Sequence, residues 1–305
     1  MDHSEGSKPQ MIIPQSPMMK LARRLGMEKV AWSLRRLYCP VSEEALVLEV
    51  GSGGNPYFRA NVLVDAYEQT SERHWVPLIS DRPTVLAFTE KLPFKDKAFD
   101  FVIASHVLEH SHDPAAFLAE IQRVAKAGYI EVPDAFMERI NPYPDHRLEI
   151  TVRKDKLKIR KKSAWEEDAD LVELYEDRAK TIVTSEVIPG HPFDFHVRYY
   201  WQNNIEFEII NPETGSMLEK PATQHAVAVP QPTLKGRVQG KILAVVRRLF
   251  SQHRRNAGID LISLLRCNHC LQNSELRKEN DELCCHSCGR KFPLRDGIPD
   301  MTDSA

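Results

Sequence analysis

The sequence predicts an α/β fold, a mainly parallel sheet followed by a small cysteine-rich module, and two observations carry this prediction. Short apolar strands alternate with helical patterns over the first half of the chain, which is typical of a parallel sheet covered on both faces. Rare residues are unevenly spread: three of 13 glycines lie in residues 51–54, and five of six cysteines lie in residues 267–288. This distribution predicts two separate sites.

The composition is that of an ordinary globular protein. The chain of 305 residues has room for about two domains at roughly 150 residues each. Its 42% hydrophobic and 28% charged residues exclude a disordered chain, and a net charge of −2 gives no overall attraction to nucleic acid. We expect no secretory signal and no membrane-spanning segment, because the required apolar runs are missing. Closely spaced cysteines favour metal binding in a reducing compartment, so the predicted location is cytoplasmic, with peripheral membrane contact as an option.

The first half of the chain supplies the predicted sheet. Residues 1–16 are predicted to form a flexible tail, and regularly spaced leucines predict one helix over residues 18–38. Asp113 before Pro114 predicts the start of another helix, because Asp is a good N-cap and Pro a good first helical residue. The leucines are Leu21, Leu25, Leu34 and Leu37, and the predicted buried strands cover residues 45–50, 61–65, 99–105 and 129–133.

The pattern changes after residue 133. Residues 149–162 alternate apolar and polar about a Lys-Asp turn, which predicts a β-hairpin. Two later segments predict antiparallel additions to the sheet, and residues 165–178 predict a short acidic helix. The predicted organisation is a main domain at 17–210, a linker with a basic helix at 211–258, and a cysteine module at 259–305.

The glycine-rich turn lies where a parallel sheet binds its ligands. A buried strand runs directly into Gly51-Ser52-Gly53-Gly54, and glycines let a backbone approach a ligand closely. The turn alone is equally typical of a tight strand-to-loop connection without a ligand. Asp65 ends the next predicted strand, where its carboxylate could accept from both hydroxyls of a ribose.

The segment LPFKDKAFDFVIASHVLEH (residues 92–110) follows at the spacing of a third and fourth strand. With the glycine turn it resembles the class I S-adenosylmethionine-dependent methyltransferases, specifically their type 11-like branch, over residues 45–134. The resemblance implies a Rossmann-like methyltransferase sheet with S-adenosylmethionine as methyl donor. It implies a methionine site at Glu49, Gly51, Ser52 and Gly53, a ribose contact at Asp65, an adenine site around Phe88 and Thr89, and a further cofactor contact at Ser105.

Two departures from that family pattern stand out. Asp65 lies only 12 positions after Gly53, whereas about 20 are usual, so the first helix is predicted to be truncated or absent. Phe88 stands where the family often has an Asp, and it could stack on adenine or belong to the core; the core interpretation is preferred. These departures leave open a non-catalytic, methyltransferase-like scaffold.

The acceptor side is predicted near the end of the fourth strand. His106 and His110 are the catalytic candidates, as groups that position the acceptor or act as base, and their i, i+4 spacing predicts one helical face. Structural and capping roles are open alternatives, and a metal site lacks an obvious third ligand. A following loop could cover the acceptor or be solvated; it contains Asp134, Asn141, Asp145 and His146. Residues 104–107 lack the D/N-P-P-Y/F element, which disfavours methylation of adenine or glutamine amino groups.

The cysteine module predicts a zinc site. Cys267-x2-Cys270 and Cys285-x2-Cys288 supply four thiolates for one tetrahedral Zn²⁺, with Cys284 as a buried or free thiol. Residues 261–301 resemble the Trm112-like zinc-ribbon family, with Asn268 where that family often has Pro. That resemblance implies a module that binds and stabilises a methyltransferase, and the zinc is expected to be structural.

Residues 235–255 hold seven Lys or Arg, no acid, and an apolar stripe of Ile242, Val246, Leu249 and Phe250. They predict a basic helix that packs on the main domain, with an anionic membrane surface or RNA as alternative partners. The leading functional hypothesis is a methyltransferase acting on an oxygen, carbon or amine acceptor of a small, lipid- or sugar-linked compound. An RNA methyltransferase that uses the zinc module and the basic helix is the alternative enzyme.

Overall fold

The computed structural model describes residues 13–70, 73, 75–140, 143, 145–163, 174–175, 177–215, 244–270 and 274–302. Its centre is a six-stranded sheet in the order β3-β2-β1-β4-β5-β8, in which the first five strands are parallel and β8 runs antiparallel to β5. This confirms the predicted α/β class. The strands are β1 (Val47–Val50), β2 (Val62–Asp65), β3 (Thr84–Leu86), β4 (Phe99–Ser105), β5 (Ala125–Pro133) and β8 (His196–Gln202).

One helix on this sheet forms as the sequence predicts. The helix α3 (Pro114–Val124) begins at Asp113, whose carboxylate accepts from the backbone N–H groups of Ala115 and Ala116 at 3.0 Å each. These bonds satisfy two of the unpaired donors at the helix start. The helix then runs directly into β5, which therefore begins four residues before the predicted strand at 129–133.

The prediction of one helix over residues 18–38 is wrong. The segment forms α1 (Pro17–Arg24), α2 (Glu28–Leu34) and a 3₁₀ turn at Arg35–Leu37. Gly26 adopts a φ of +71°, a left-handed conformation that commonly ends helices. Because the axis changes there, the leucine spacing no longer marks one face. Leu21, Leu25 and Leu37 are exposed, whereas Met19, Ala22 and Ala31 are buried.

The predicted hairpin forms the second sheet. Its strands are β6 (Leu148–Arg153) and β7 (Lys156–Lys161), and the turn residues Lys154 and Asp155 both have positive φ, as a two-residue hairpin turn requires. The short β9 (Phe207–Ile209) pairs with β7 in parallel, so the second of the two segments predicted as antiparallel additions to the main sheet joins this sheet instead, whereas β8 confirms the first. The predicted acidic helix lies largely outside the described residues. Further helical segments are α4 (Ala135–Ile140), Lys180–Ile182, Val183–Val187 (a π-helical turn) and Ile188–Gly190.

The predicted basic helix is not continuous. Residues 244–250 are helical, Gln252 has a φ of 54°, and a new turn follows at His253–Asn256. Arg247 is buried beside Asp81 at 3.5 Å. Of the predicted apolar stripe, Leu249 is exposed, whereas the ring of Phe250, also largely exposed, lies edge-to-face against Phe58 of the main domain with 6.4 Å between the centroids. Residues 235–243, which include Ile242 of the predicted stripe, lie outside the described part of the chain. Most of the predicted tail and linker also lie outside it.

The C-terminal module closes one edge of the main sheet. The backbone N–H of Met301 donates to Leu86 on β3 at 2.8 Å, and that of Arg266 donates to Pro93 at 2.9 Å. Leu265, Phe292 and Met301 belong to the same hydrophobic core as the main sheet. The module consists of a short helix (Leu261–Leu264) and the strands β10 (Leu276–Glu279), β11 (Glu282–Cys285), β12 (Lys291–Arg295) and β13 (Ile298–Pro299).

Among the described residues, no helix combines the length and the apolar character needed to cross a membrane.

Candidate functional site

The glycine turn follows β1 and requires glycine for steric reasons. Gly51 and Gly53 have φ values of +63° and +57°, which residues with a side chain rarely adopt. A Cβ atom on Gly51 would lie 2.6 Å from the side chain of Val107, well inside contact distance. The turn therefore packs directly against the segment that follows β4.

Asp65 at the end of β2 is joined to the glycine turn. Its Oδ2 accepts from the Gly53 backbone N–H at 2.9 Å, and its Oδ1 accepts from the Tyr67 N–H at 3.1 Å. Residues 51–61, all described, form turns and no helix, which confirms the predicted loss of the first helix. The short connection thus brings Asp65 to the turn without the usual intervening helix.

Arg73 covers the carboxylate of Asp65, and the sequence did not predict this contact. Its guanidinium donates to Asp65 Oδ1 at 2.8 Å and to the carbonyl oxygens of Tyr67 and Glu68 at 2.8 and 3.0 Å. A Cβ atom on Gly53 would lie 3.0 Å from Arg73 Cδ. A sugar hydroxyl can therefore replace these bonds to Asp65 only if Arg73 moves.

Glu49 lies buried within β1. Its carboxylate accepts from the Tyr57 backbone N–H at 2.7 Å. Burial raises the pKa of Glu49 to about 7, partly opposed by the positive charge of Arg36. Ser52 is also buried, and its hydroxyl has no hydrogen-bond partner among the described residues. The predicted methionine site thus contains polar groups with unused hydrogen-bonding capacity.

Phe88 is 38% exposed, so the preferred interpretation of this residue as core is wrong. Its ring lies edge-to-face against Tyr67, with 5.8 Å between the centroids. Both rings line a cavity of about 460 Å³ together with Asp65, Thr89 and His110. The two exposed aromatic rings therefore stand beside the carboxylate that the sequence assigns to a ribose.

His106 is enclosed by two carboxylates. Its Nδ1 lies 3.4 Å from Glu109 and its Nε2 lies 3.5 Å from Glu131, so both ring nitrogens face negative charge. The side chain keeps 41% of its surface exposed; partial desolvation of the ring would lower the pKa of His106, but the two carboxylates raise it to about 9. Glu131 on β5 also accepts from Ser105 Oγ at 3.0 Å.

Arg35 completes this buried network, and sequence reasoning missed it. Its Nε and Nη2 donate to the two oxygens of Glu131 at 2.7 and 2.8 Å, and Tyr129 donates from its hydroxyl as well. The only available signal was a single acid in the otherwise apolar strand YIEVP. Ser105, predicted as a cofactor contact, is held by this network.

His110 faces a different cluster from His106. Residues Leu108–His110 form a 3₁₀ turn, so the predicted shared helical face is wrong. The Nδ1 of His110 lies 3.1 Å from the Asp145 carbonyl, and its ring meets that of His146 at 4.8 Å. His146 in turn bonds through Nδ1 to Glu138 at 2.7 Å. Two residues of the predicted covering loop therefore do contact the acceptor-side histidine.

The other residues of that loop are placed differently. Asp134 accepts from the Thr151 hydroxyl at 2.7 Å in the hairpin, and Asn141 lies outside the described residues. A cavity of about 350 Å³ joins the glycine turn to the acceptor side; its walls include Glu49, Gly51, Ser52, Gly53, Ser105, His106, His110 and His146.

The four predicted zinc ligands lie together. The Sγ atoms of Cys267 and Cys288 are 3.8 Å apart, and those of Cys270 and Cys285 are 3.7 Å apart. Tetrahedral Zn²⁺ with Zn–S bonds of about 2.3 Å places sulfurs about 3.8 Å apart, so the cluster fits this ion. Cys284 is buried outside the cluster, as predicted.

Comparisons of sequence agree with both regions. Residues 48–130 match the family model described as a methyltransferase domain. The uncharacterized protein YafE of Escherichia coli is 36% identical over 66 residues, which are 22% of this chain and 30% of that protein. A UPF0434 protein of Bordetella avium is 44% identical over 45 residues, which are 15% of this chain and 71% of that protein.

Solved structures that match part of this chain have low identity and low TM-scores. An S-adenosylmethionine-dependent methyltransferase of Thermotoga maritima is 20% identical over a region that covers 38% of this chain and 55% of the Thermotoga chain, with a TM-score of 0.28. A chain of the complex between the Haloferax volcanii Trm112 methyltransferase activator and a methyltransferase has 21% identity, coverages of 43% and 74%, and a TM-score of 0.29. Residues 48–130 are thus similar to a methyltransferase domain, and over the 45 residues shared with the Bordetella protein the chain belongs to the UPF0434 family.

Proposed function

We propose that this protein is an S-adenosylmethionine-dependent methyltransferase that acts on a small, lipid- or sugar-linked acceptor. The observation that carries the proposal is the contact between Asp65 and the Gly53 N–H at the carboxyl ends of β1 and β2. This is where a parallel sheet binds its ligands, and the contact lies within the segment that matches the methyltransferase domain.

The cofactor is proposed to extend along the two cavities that meet at Gly51. The buried carboxylate of Glu49 suits the positively charged methionine end, and the backbone of residues 51–53 gives it room. Asp65 would hold the ribose after Arg73 withdraws. The exposed ring of Phe88, next to Thr89, suits stacking against adenine. Ser105 supports this wall through Glu131.

Methyl transfer from a sulfonium needs mainly alignment of acceptor and methyl group. His110 is the candidate for contact with the acceptor, because it lies on the wall that faces the glycine turn. His106 suits an electrostatic role better than that of a free base, since carboxylates face both of its nitrogens.

The C-terminal module is proposed to be a Trm112-like zinc ribbon with a structural role. Four thiolates would hold Zn²⁺ and fix the module, whose backbone bonds to Leu86 cover the edge of the main sheet. The module also places Arg295 and Ile298 at the rim of a cavity beside Phe88. It would therefore stabilise the adenine side of the cofactor site.

A non-catalytic scaffold is the second candidate, and one observation favours it. Arg73 occupies the hydrogen-bonding capacity of Asp65 Oδ1 and lies over Gly53. If this ion pair is permanent, Asp65 Oδ1 cannot accept from the ribose, and Oδ2 already accepts from the Gly53 N–H. The two candidates therefore differ in whether Arg73 can be displaced.

Isothermal calorimetry with S-adenosylmethionine separates them. We expect wild type to bind, Asp65→Ala to bind at least about tenfold more weakly, and Arg73→Ala to bind about fivefold more tightly. Absence of binding by wild type and by Arg73→Ala at millimolar ligand would favour the scaffold. Thermal unfolding of each variant controls for misfolding, and mass spectrometry of candidate acceptors after reaction would identify the methylated class.

A further inference from the structure

A second group of metal-type ligands lies beside the proposed methyl-transfer site. Glu109 and His110 come from the 3₁₀ turn after β4, and His146 comes from the segment after α4. One potential ligand atom from each lies within 4.8 Å of the others. The cluster is composed of two imidazoles and one carboxylate, so it is chemically distinct from the four-cysteine cluster.

Both imidazoles are oriented through one nitrogen. His146 Nδ1 bonds to the Glu138 carboxylate at 2.7 Å, and His110 Nδ1 bonds to the Asp145 carbonyl oxygen at 3.1 Å. Each Nδ1 therefore carries the proton that it donates, and Nε2 is left as the lone-pair nitrogen. Metal-binding histidines in proteins are held in the same way, by an oxygen acceptor behind the ring.

The carboxylate of Glu109 lacks hydrogen-bond donors. The residue is 1% exposed, and neither of its oxygens accepts a hydrogen bond from any described residue. Its nearest cation, His106, is 3.4 Å away. The ion pair with His106 leaves most lone pairs of this buried carboxylate unused, and a bound cation would accept them.

We propose that Glu109, His110 and His146 bind one divalent transition-metal ion. Two imidazoles and one carboxylate on one side of an ion leave its remaining positions open, and this set suits Mn²⁺, Fe²⁺, Co²⁺ or Zn²⁺. Small rotations of the side chains would bring the donor atoms from their present spacing to bonding distance. The ion would lie on the wall of the same 350 Å³ cavity that contains the glycine turn.

Its role rests on the proposed methyltransferase function and narrows the acceptor to a hydroxyl compound. An acceptor oxygen in an open position of the ion becomes more acidic. The hydroxyl proton then passes to solvent, and the oxygen forms a bond to the methyl carbon. The carbon–sulfur bond breaks, and its electron pair stays on the sulfur of S-adenosylhomocysteine. An acceptor with two neighbouring oxygens would fill two open positions.

Electron paramagnetic resonance of Mn²⁺ tests the site, with the full chain loaded with one equivalent of Zn²⁺ for the four thiolates so that the second site stays free. Mn²⁺ is the probe because thiolates prefer zinc, whereas imidazole and carboxylate accept Mn²⁺. We expect one bound Mn²⁺ per chain, and binding at least about tenfold weaker in Glu109→Gln and in His110→Ala. The matched control is His191→Ala, at an exposed histidine outside the cluster that lies 3.9 Å from Asp194, and this variant should bind as wild type does.

Zinc analysis gives an independent measurement. After equilibration with Zn²⁺ and removal of the free metal, wild type should retain two ions per chain and Glu109→Gln one. Absence of bound Mn²⁺ together with one zinc in wild type would overturn the inference, as would unchanged binding in both variants. Calorimetry with S-adenosylmethionine reports separately on the proposed function: metal binding without cofactor binding supports the metal site alone, and the reverse result overturns only the metal site.

Discussion

The cysteine cluster and the glycine-turn site differ in the distance along the chain between the residues that form them. The cysteines come as two pairs with 14 residues between them, and one hairpin, β10 to β11, brings the pairs together. The glycine-turn site draws on β1, β2, β4, β5 and the segment after α4, and the ion pair of Arg35 with Glu131 spans 96 positions. Local spacing specifies the first region, whereas the topology of the main sheet specifies the second.

This difference predicts different consequences of mutation. The cysteine module shares the hydrophobic core of the main sheet and covers its edge, so its loss should act on the stability of the whole protein. The polar groups of the glycine-turn site have unused bonding capacity, so changes there should act mainly on ligand binding.

The largest effect is expected from Cys285→Ser. It removes one of four thiolates from the cluster, and since structural zinc supplies much of the folding energy of small modules, we expect a loss on the order of 5 kcal/mol. Thermal unfolding should show a midpoint lower by roughly 10 °C or more. The neighbouring Cys284→Ser is the matched control, because Cys284 is buried outside the cluster. Equal shifts in the two variants would mean that the cluster does not hold a structural metal.

A smaller effect is expected from Gly51→Ala. The new Cβ would lie 2.6 Å from Val107 at a φ of +63°, so backbone strain and overpacking together should destabilise the protein by roughly 4 kcal/mol. Gly26→Ala is the control: its φ is +71° and nothing lies within 4 Å, so it reports backbone strain alone at about 1–2 kcal/mol. Urea unfolding of both variants measures the difference. Similar losses would show that the close approach to Val107 is unimportant.

The sequence was sufficient where one element carries the signal. The Asp113 cap, the Lys154-Asp155 turn and the place of Asp65 at the end of β2 each follow from residues within a few positions of one another. The absence of the first helix was also predictable, because the 12 positions from Gly53 to Asp65 leave no room for it.

The rest depends on contacts between distant segments. Nothing in its neighbours marks Arg73 as the partner of Asp65, and His146 meets His110 only because the chain returns over β4 after α4. The i, i+4 spacing of His106 and His110 was misleading, since a 3₁₀ turn and a positive φ at His106 separate the two rings. The third ligand of the proposed metal site therefore had no spacing signal.

The smallest expected effect on stability comes from Glu49. Its pH dependence separates the glycine-turn site from the cysteine module. Burial raises the pKa of Glu49 in the folded protein from 4.5 to about 7, and the negative charge of Asp65 raises it further. The positive charges of Arg36 and Arg82 and the hydrogen bond from the Tyr57 N–H lower the pKa but do not cancel the effect of burial. Between these values the folded state retains a proton that the unfolded state has lost, so stability falls as pH rises from 4.5 to 7. The contribution is at most about 3 kcal/mol.

Glu49→Gln should abolish this part of the pH dependence, because glutamine does not ionise and can still accept from the Tyr57 N–H. Urea unfolding at several pH values between 4.5 and 8 should therefore show the variant gaining stability relative to wild type as pH rises. Glu186→Gln, at an exposed position, serves as the control and should run parallel to wild type. A constant difference between Glu49→Gln and wild type would mean that this carboxylate is ionised throughout. The hydrogen-bonding capacity of the Glu49 carboxylate would then already be used within the folded protein. Mutations at this site would then change mainly the stability of the protein, as we expect for the cysteine module.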